Sequence, residues 1–118
     1  MYNQMVAHVE LSEAEVDRIF RALADQTRRD IMRRVLTEEA AVSELAAVYD
    51  MSFAAVQKHV AVLEEAGLVT KHPRGRHRIV RGEPEQIRRA QLLLGQYEDI
   101  WRARIGRLDA LLGEAKGT

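Results

Sequence analysis

Apolar positions recur along most of this chain with the period of a helix, and the elements they predict are set apart by capping residues. Leu45, Ala46, Val48 and Tyr49 form one short stripe, a turn follows at Asp50 and Met51, and Val56, Val60 and Leu63 form a second stripe with Ala55 and Ala66 beside it. Two helices joined by a tight turn are expected there, the first from Ser43 to about Tyr49 and the second over residues 52–66. Ser52 suits the N-cap of the second, and Met51 and Val56 fall at the two positions of a hydrophobic staple. Upstream, Ser12 and Glu15 read as a capping box and Leu11 and Val16 as its staple, starting a helix whose stripe is Val16, Ile19, Phe20 and Leu23. Asp25 caps another helix through about Leu36, with Ile31, Met32, Val35 and Leu36 inward. Residues 1–11 read as a loosely held N-terminal tail.

The helical period breaks after Gly67. Residues 68–81, with β-branched and apolar side chains on both sides of a Pro73-Arg74-Gly75-Arg76 turn, read as a β-hairpin. Pro84 then suits the first position of a last helix over residues 84–115. Its stripe is Ile87, Ala90, Leu94, Tyr97, Trp101, Ile105, Leu108, Leu111 and Leu112, near heptad spacing. A helix of about thirty residues is roughly 45 Å long, too long for a chain this small to cover on its apolar side. The economical cover is a second copy packed across a two-fold axis, with Val16, Ile19, Phe20, Leu94, Tyr97, Trp101, Ile105 and Leu108 in the interface. The fold class expected is mainly α with a small β-hairpin, in the order α-α-α-α-β-β-α, with residues 12–118 forming a single domain.

Composition narrows the function. The 118 residues are 47% hydrophobic and 31% charged, ordinary for one globular domain. There is no cysteine, which excludes disulfides, thiol redox sensing and cysteine metal sites. No apolar run reaches membrane-spanning length, and the N-terminus lacks the basic-then-apolar build of a signal peptide, so a cytoplasmic protein is expected. Formal charge is zero, but its distribution is uneven. From Glu10 to Asp25 five acids stand against two bases, whereas from Gln57 to Gly82 six bases stand against two acids, a net of +4.

An amphipathic helix followed at once by a basic two-stranded ribbon is the order of a winged helix-turn-helix. Helix 52–66 would then read the major groove and the hairpin 68–81 would be the wing. The candidate DNA-contacting residues are Ser52, Phe53, Ala54, Gln57, Lys58 and His59 on the reading helix, and Arg74, Arg76 and Arg78 on the wing. Gln suits bidentate pairing with adenine, and arginine suits phosphate or the minor groove. The bland alternative is a plain αα-hairpin whose Gln57 and Lys58 merely solvate a surface; the basic ribbon weighs against it. Of the arginines on the helix after Asp25, Arg28 and Arg29 are expected near DNA phosphates, Arg33 and Arg34 in solvent.

The run from Phe20 to Ile31, then Val42-Ser43-Glu44-Leu45-Ala46, Met51-Ser52 to His59-Val60, Leu63 to Val69 and Gly75-Arg76-His77-Arg78, resembles the ArsR (ArsR/SmtB) family of winged-helix repressors over residues 16–82. The long last helix is similar to that family's dimerisation helix. The resemblance implies a homodimeric bacterial transcriptional repressor that binds an inverted repeat near its own promoter. Departures are informative. Gln26 stands where many relatives have proline, and Gln57 where they often have serine. The family's Cys-x-Cys metal pair corresponds to Ala46 and Val48 or their neighbours, and no histidine lies between Pro84 and Thr118, where another of its metal sites would need one. The chain therefore resembles the subgroup without the cysteine site, and neither a metal nor a cofactor is expected.

Four histidines remain, His8, His59, His72 and His77. A His72-His77 pair across the hairpin would hold a metal weakly, and DNA contact or a solvated surface is the favoured reading. Catalysis is not expected, because no Gly-rich phosphate loop or nucleophile elbow occurs. Two alternatives stay open beside the autorepressor: a derepressor answering to a metal or small molecule through a non-cysteine site, and a winged helix used as a protein adaptor, against which the arginine wing weighs. The expected partners are double-stranded promoter DNA and a second copy, with no membrane and an unidentified small-molecule inducer.

Overall fold

Capping chemistry sets where each helix begins. In the computed structural model, which describes residues 11–117 and the side chains of residues 11–114, Ser12 Oγ accepts from the Glu15 N–H at 3.0 Å. The Glu15 carboxylate accepts from the Ser12 N–H at 2.9 Å, which closes the capping box and starts α1 (Glu13–Leu23). The Asp25 carboxylate accepts from the Arg28 N–H at 3.0 Å and starts α2 (Gln26–Thr37). A two-residue strand, β1 (Ala40–Ala41), leads into α3 (Val42–Val48), whose Glu44 carboxylate reaches back to the Ala41 N–H at 2.7 Å. Ser52 Oγ accepts from the Ala55 N–H at 3.1 Å and opens α4 (Phe53–Glu65). The expected tail and His8 lie outside the described residues.

Helix α4 ends as its sequence requires. Gly67 takes φ +76°, the Leu68 N–H donates to the Leu63 carbonyl at 3.0 Å, and the Gly67 N–H donates to that of Glu64 at 2.9 Å. This is a Schellman motif, and a side chain at residue 67 would be strained and would also meet Gln86. The hairpin β2 (Val69–Arg74) and β3 (His77–Gly82) follows, with Gly75 at φ +62° in its two-residue turn. The sheet has three strands in the order β1-β3-β2, all antiparallel. Strand β1 was not expected, because two residues are too few for an alternating pattern to register.

The core lies between α1, α2, α3, α4 and the sheet. Val56, Val60 and Leu63 of α4 are fully buried there with Ile19, Ile31, Leu45, Leu68 and Val80. Each such aliphatic side chain contributes about 1.5–3 kcal/mol by leaving water. Three expectations need correcting. Ile19 was placed in a dimer interface, but it is 0% exposed within its own chain. It sits in the middle of the α1 stripe and faces the core, while Val16 is half-buried and Phe20, on the flank, is exposed. Leu36 was expected inward and is 43% exposed, lying over the end of β3 where a Cβ on Gly82 would come within 2.7 Å of it. Val48, also expected inward, is exposed beside the loop that ends α3.

Helix α5 (Pro84–Gly117) has 34 residues, about 51 Å at 1.5 Å per residue. Among the described residues, its first turns are what meets the rest of the chain, where Ile87 and Ala90 join the core. From Gln96 to Glu114 every residue is exposed. The molecule is accordingly long, 74 × 34 × 23 Å, with a radius of gyration of 20.1 Å where a compact chain of about a hundred residues has about 13 Å.

Candidate nucleic-acid interface

The turn between α3 and α4 exposes the start of α4. Ser52, Phe53, Ala54, Gln57 and Lys58 are all exposed, because the stripe Val56, Val60 and Leu63 turns the opposite side of the helix into the core. The wing stands beside them. Residues directly opposite in an antiparallel ladder share a face, and the register pairs Lys71 with Val80 and Pro73 with Arg78 on one face, Thr70 with Arg81 and Arg74 with His77 on the other. The first face carries Lys71 and Arg78 towards α4. With Arg76 from the turn they line a groove whose far wall is Phe53 and Gln57, and Val42, Ser43 and His77 complete it. The Lys71 ammonium lies 3.4 Å from the Glu64 carboxylate and so ties the wing to α4.

The second face holds the remaining wing arginines differently. Arg74 donates to Glu39 Oε1 at 2.8 Å and Arg81 to Glu39 Oε2 at 3.1 Å, and this pair of donors keeps the Glu39 carboxyl below its ordinary range. Arg74, offered to DNA on sequence grounds, pairs with Glu39, which no local pattern singled out, and its side chain stays 67% exposed. Arg76 and Arg78 make no ion pair among the described residues.

His59, also expected among the base-reading groups, is turned away from the groove. Its side chain is 21% exposed, with Nδ1 3.3 Å from an Arg28 guanidinium nitrogen and 3.9 Å from Asp25 Oδ2. Residue 59 flanks the buried stripe, three positions after Val56 and four before Leu63, so its ring packs at the α1–α2 corner. Arg28 and Arg29, expected near DNA phosphates, sit there too. Arg28 donates to the carbonyls of Ala22 at 2.7 Å and Arg21 at 3.0 Å, and Arg29 to that of Leu23 at 2.8 Å. The carbonyls of Ala22 and Leu23 at the end of α1 thereby gain side-chain partners, and that of Arg21 gains a second beside the Ala24 N–H. Arg33 and Arg34 pair with Asp30, which also accepts from the Tyr49 hydroxyl, and the Arg34 guanidinium stacks 5.7 Å from the Tyr49 ring centre. Hydrogen bonds from Tyr49 and Arg34 hold the Asp30 carboxyl below its usual range.

The histidines of the wing do not converge. His72 lies opposite Ile79, not His77, and its Nε2 is 2.8 Å from Thr70 Oγ1, which donates to Glu83 at 2.6 Å. Among the described residues no group of three or more His, Cys, Asp or Glu is placed to hold a metal, and no described helix is long and apolar enough to cross a membrane. On α5, Leu94, Tyr97, Trp101, Ile105 and Leu108 form an exposed apolar stripe, with the Arg104 guanidinium 5.7 Å from the Trp101 ring centre.

Five helices among the described residues, a short turn before α4 and a three-stranded sheet ending in a basic hairpin make this a winged helix-turn-helix protein. Residues 25–71 match the model of the bacterial regulatory protein, arsR family. The uncharacterized HTH-type transcriptional regulator YuzN of Bacillus subtilis is 42% identical over 71 residues, covering 54% of this chain and 77% of that protein. A crystal structure of an ArsR family transcriptional regulator superposes with a TM-score of 0.73 at 34% identity, covering 78% of this chain and 95% of that one. The homodimeric winged helix-turn-helix DNA-binding domain of a possible ArsR-family regulator from Mycobacterium bovis has the same fold, with a TM-score of 0.60 at 23% identity over 73% of this chain and 81% of that one. The chain belongs to the ArsR family of transcriptional regulators.

Proposed function

We propose that this regulator is a homodimeric repressor that reads an inverted-repeat operator and has no catalytic activity. The observation that carries the reading is the groove in which Phe53 and Gln57 of α4 face Lys71, Arg76 and Arg78 of the wing. A helix in the major groove offers Gln57 to an adenine edge and Phe53 to a thymine methyl, while Ser52, Ala54 and Lys58 border the phosphates and Arg76 and Arg78 of the wing meet the backbone alongside. The second copy packs on Leu94, Tyr97, Trp101, Ile105 and Leu108, which the chain's own body leaves uncovered, with Val16 and Phe20 at the edge. A winged-helix relative from Mycobacterium bovis is homodimeric, which supports that assembly. Two reading helices related by a two-fold would enter successive major grooves with centres roughly 34 Å apart. The place of action is the cytoplasm, and binding is independent of added zinc, since no cysteine is present and His72 and His77 stand out of register.

Fluorescence anisotropy tests this with a duplex from immediately upstream of the chain's own gene and a scrambled duplex. Salt-sensitive binding that prefers the upstream duplex is expected, with zinc and chelator without effect. Gln57→Ala should cut the preference for the upstream duplex by about tenfold or more, the value of one good bidentate base contact. Equal affinity of the unaltered chain for both duplexes would refute the reading.

A further inference from the structure

We infer that Glu39 is a positioning residue of the DNA-binding face: it holds Arg74 and Arg81 at the back of the wing and leaves Arg76 and Arg78 as the wing's phosphate contacts. The inference rests on the DNA-binding reading above. Three observations meet in it. The ladder register puts Arg74 and Arg81 on one face of the hairpin and Arg78 with Lys71 on the other, so alternation along the strands already divides the arginines. Each oxygen of the Glu39 carboxylate is taken by one of the two back-face guanidinium groups, at 2.8 and 3.1 Å. Glu39 itself is fixed by its backbone, because the next two residues are β1 and pair with Val80 and Ile79 of β3. The two-residue strand thus sets a carboxylate beside the hairpin, where it bridges β2 at Arg74 to β3 at Arg81. On the groove side Lys71 and Glu64 hold the wing to α4. The wing is braced on both faces, and the back brace removes two cations from the set that would otherwise attract any phosphate.

Counterion release makes this measurable, because each phosphate contact adds about one unit to the slope of log affinity against log salt. The full chain is titrated with salt on the scrambled duplex and on the upstream duplex, comparing the unaltered protein with Arg76→Gln, Arg74→Gln, Glu39→Gln and the double variant Glu39→Gln/Arg74→Gln. Arg76→Gln should flatten the slope by about one unit, and Arg74→Gln should leave it unchanged. Glu39→Gln should steepen it by about one to two units and raise affinity for the scrambled duplex about tenfold, as Arg74 and Arg81 are released towards phosphate. The double variant should lose about half of that gain. Exposed ion pairs contribute little to stability, so circular dichroism of these variants should match the unaltered chain. A slope that falls by about one unit in Arg74→Gln would make Arg74 a phosphate contact and overturn the inference, as would a Glu39→Gln slope equal to the original. Failure of the DNA reading itself is distinguishable, since the unaltered chain would then show no salt-sensitive binding to either duplex.

Discussion

Helices α4 and α5 carry the same kind of signal and meet opposite fates. The stripe Val56, Val60 and Leu63 of α4 is 0% exposed, whereas Tyr97, Ile100 and Trp101 of α5 are 55–67% exposed. Periodicity says only that a helix has an apolar side; the space around it decides what covers that side. Helix α4 has 13 residues and lies across α1, α2 and α3, so its stripe is used up within the chain. Helix α5 has 34 residues and projects beyond the body after its first turns, so its stripe has no cover of its own.

Substitution on the two helices should separate their roles. Leu63→Ala removes a fully buried side chain from the α4 stripe and should cost about 2–5 kcal/mol of stability, read from denaturant unfolding. A loss under about 1 kcal/mol would mean that the core around α4 is loosely packed. Trp101→Glu, on the exposed stripe, should leave the circular dichroism spectrum intact but shift sedimentation to a 13.4 kDa monomer. Affinity for the upstream duplex should drop about a hundredfold because one half-site is lost, equal to about 2.7 kcal/mol. A Trp101→Glu protein that still sediments as a dimer would place the interface elsewhere on the molecule.

The smallest effect concerns acid. The Asp30 carboxyl is held below the ordinary range of an aspartate by hydrogen bonds from Tyr49 and Arg34. A lowered folded-state pKa contributes stability that is present above the unfolded value and is lost as pH falls through the folded one. Stability should therefore decline on acidification below about pH 4, and Asp30→Asn should make that decline shallower. An unchanged acid profile in Asp30→Asn would show that the Asp30 cluster does not differ between folded and unfolded chains.

Much of this molecule is legible locally. Ser12, Asp25 and Ser52 each cap a helix within three residues of themselves, and Gly67 ends α4 through bonds that span only a few residues. Such features need no knowledge of the fold. The division of the wing arginines is of another kind. Arg74, Arg76, Arg78 and Arg81 look alike in sequence, and Glu39, which pairs with two of them, lies 35 residues before Arg74 and 42 before Arg81. Arg28 and Arg29 read as surface cations, yet their reach back to the end of α1 depends on how sharply the chain turns between Leu23 and Gln26. His59 reads as an exposed base-reading group until the α1–α2 corner is in place beside it.

The sequence by itself determined the order of the helices and the hairpin, the limits of the helices to within a residue or two, the basic hairpin after an amphipathic helix and the excess apolar length of α5. These follow from hydrogen bonds and side-chain spacings confined to a few neighbouring residues. Only the tertiary structure decided that Ile19 belongs to the core, that two alanines form a strand, that His59 packs against Arg28 and that Glu39 pairs with Arg74 and Arg81. Each of those outcomes depends on groups tens of residues apart coming within hydrogen-bonding or packing distance, and no local pattern encodes that distance.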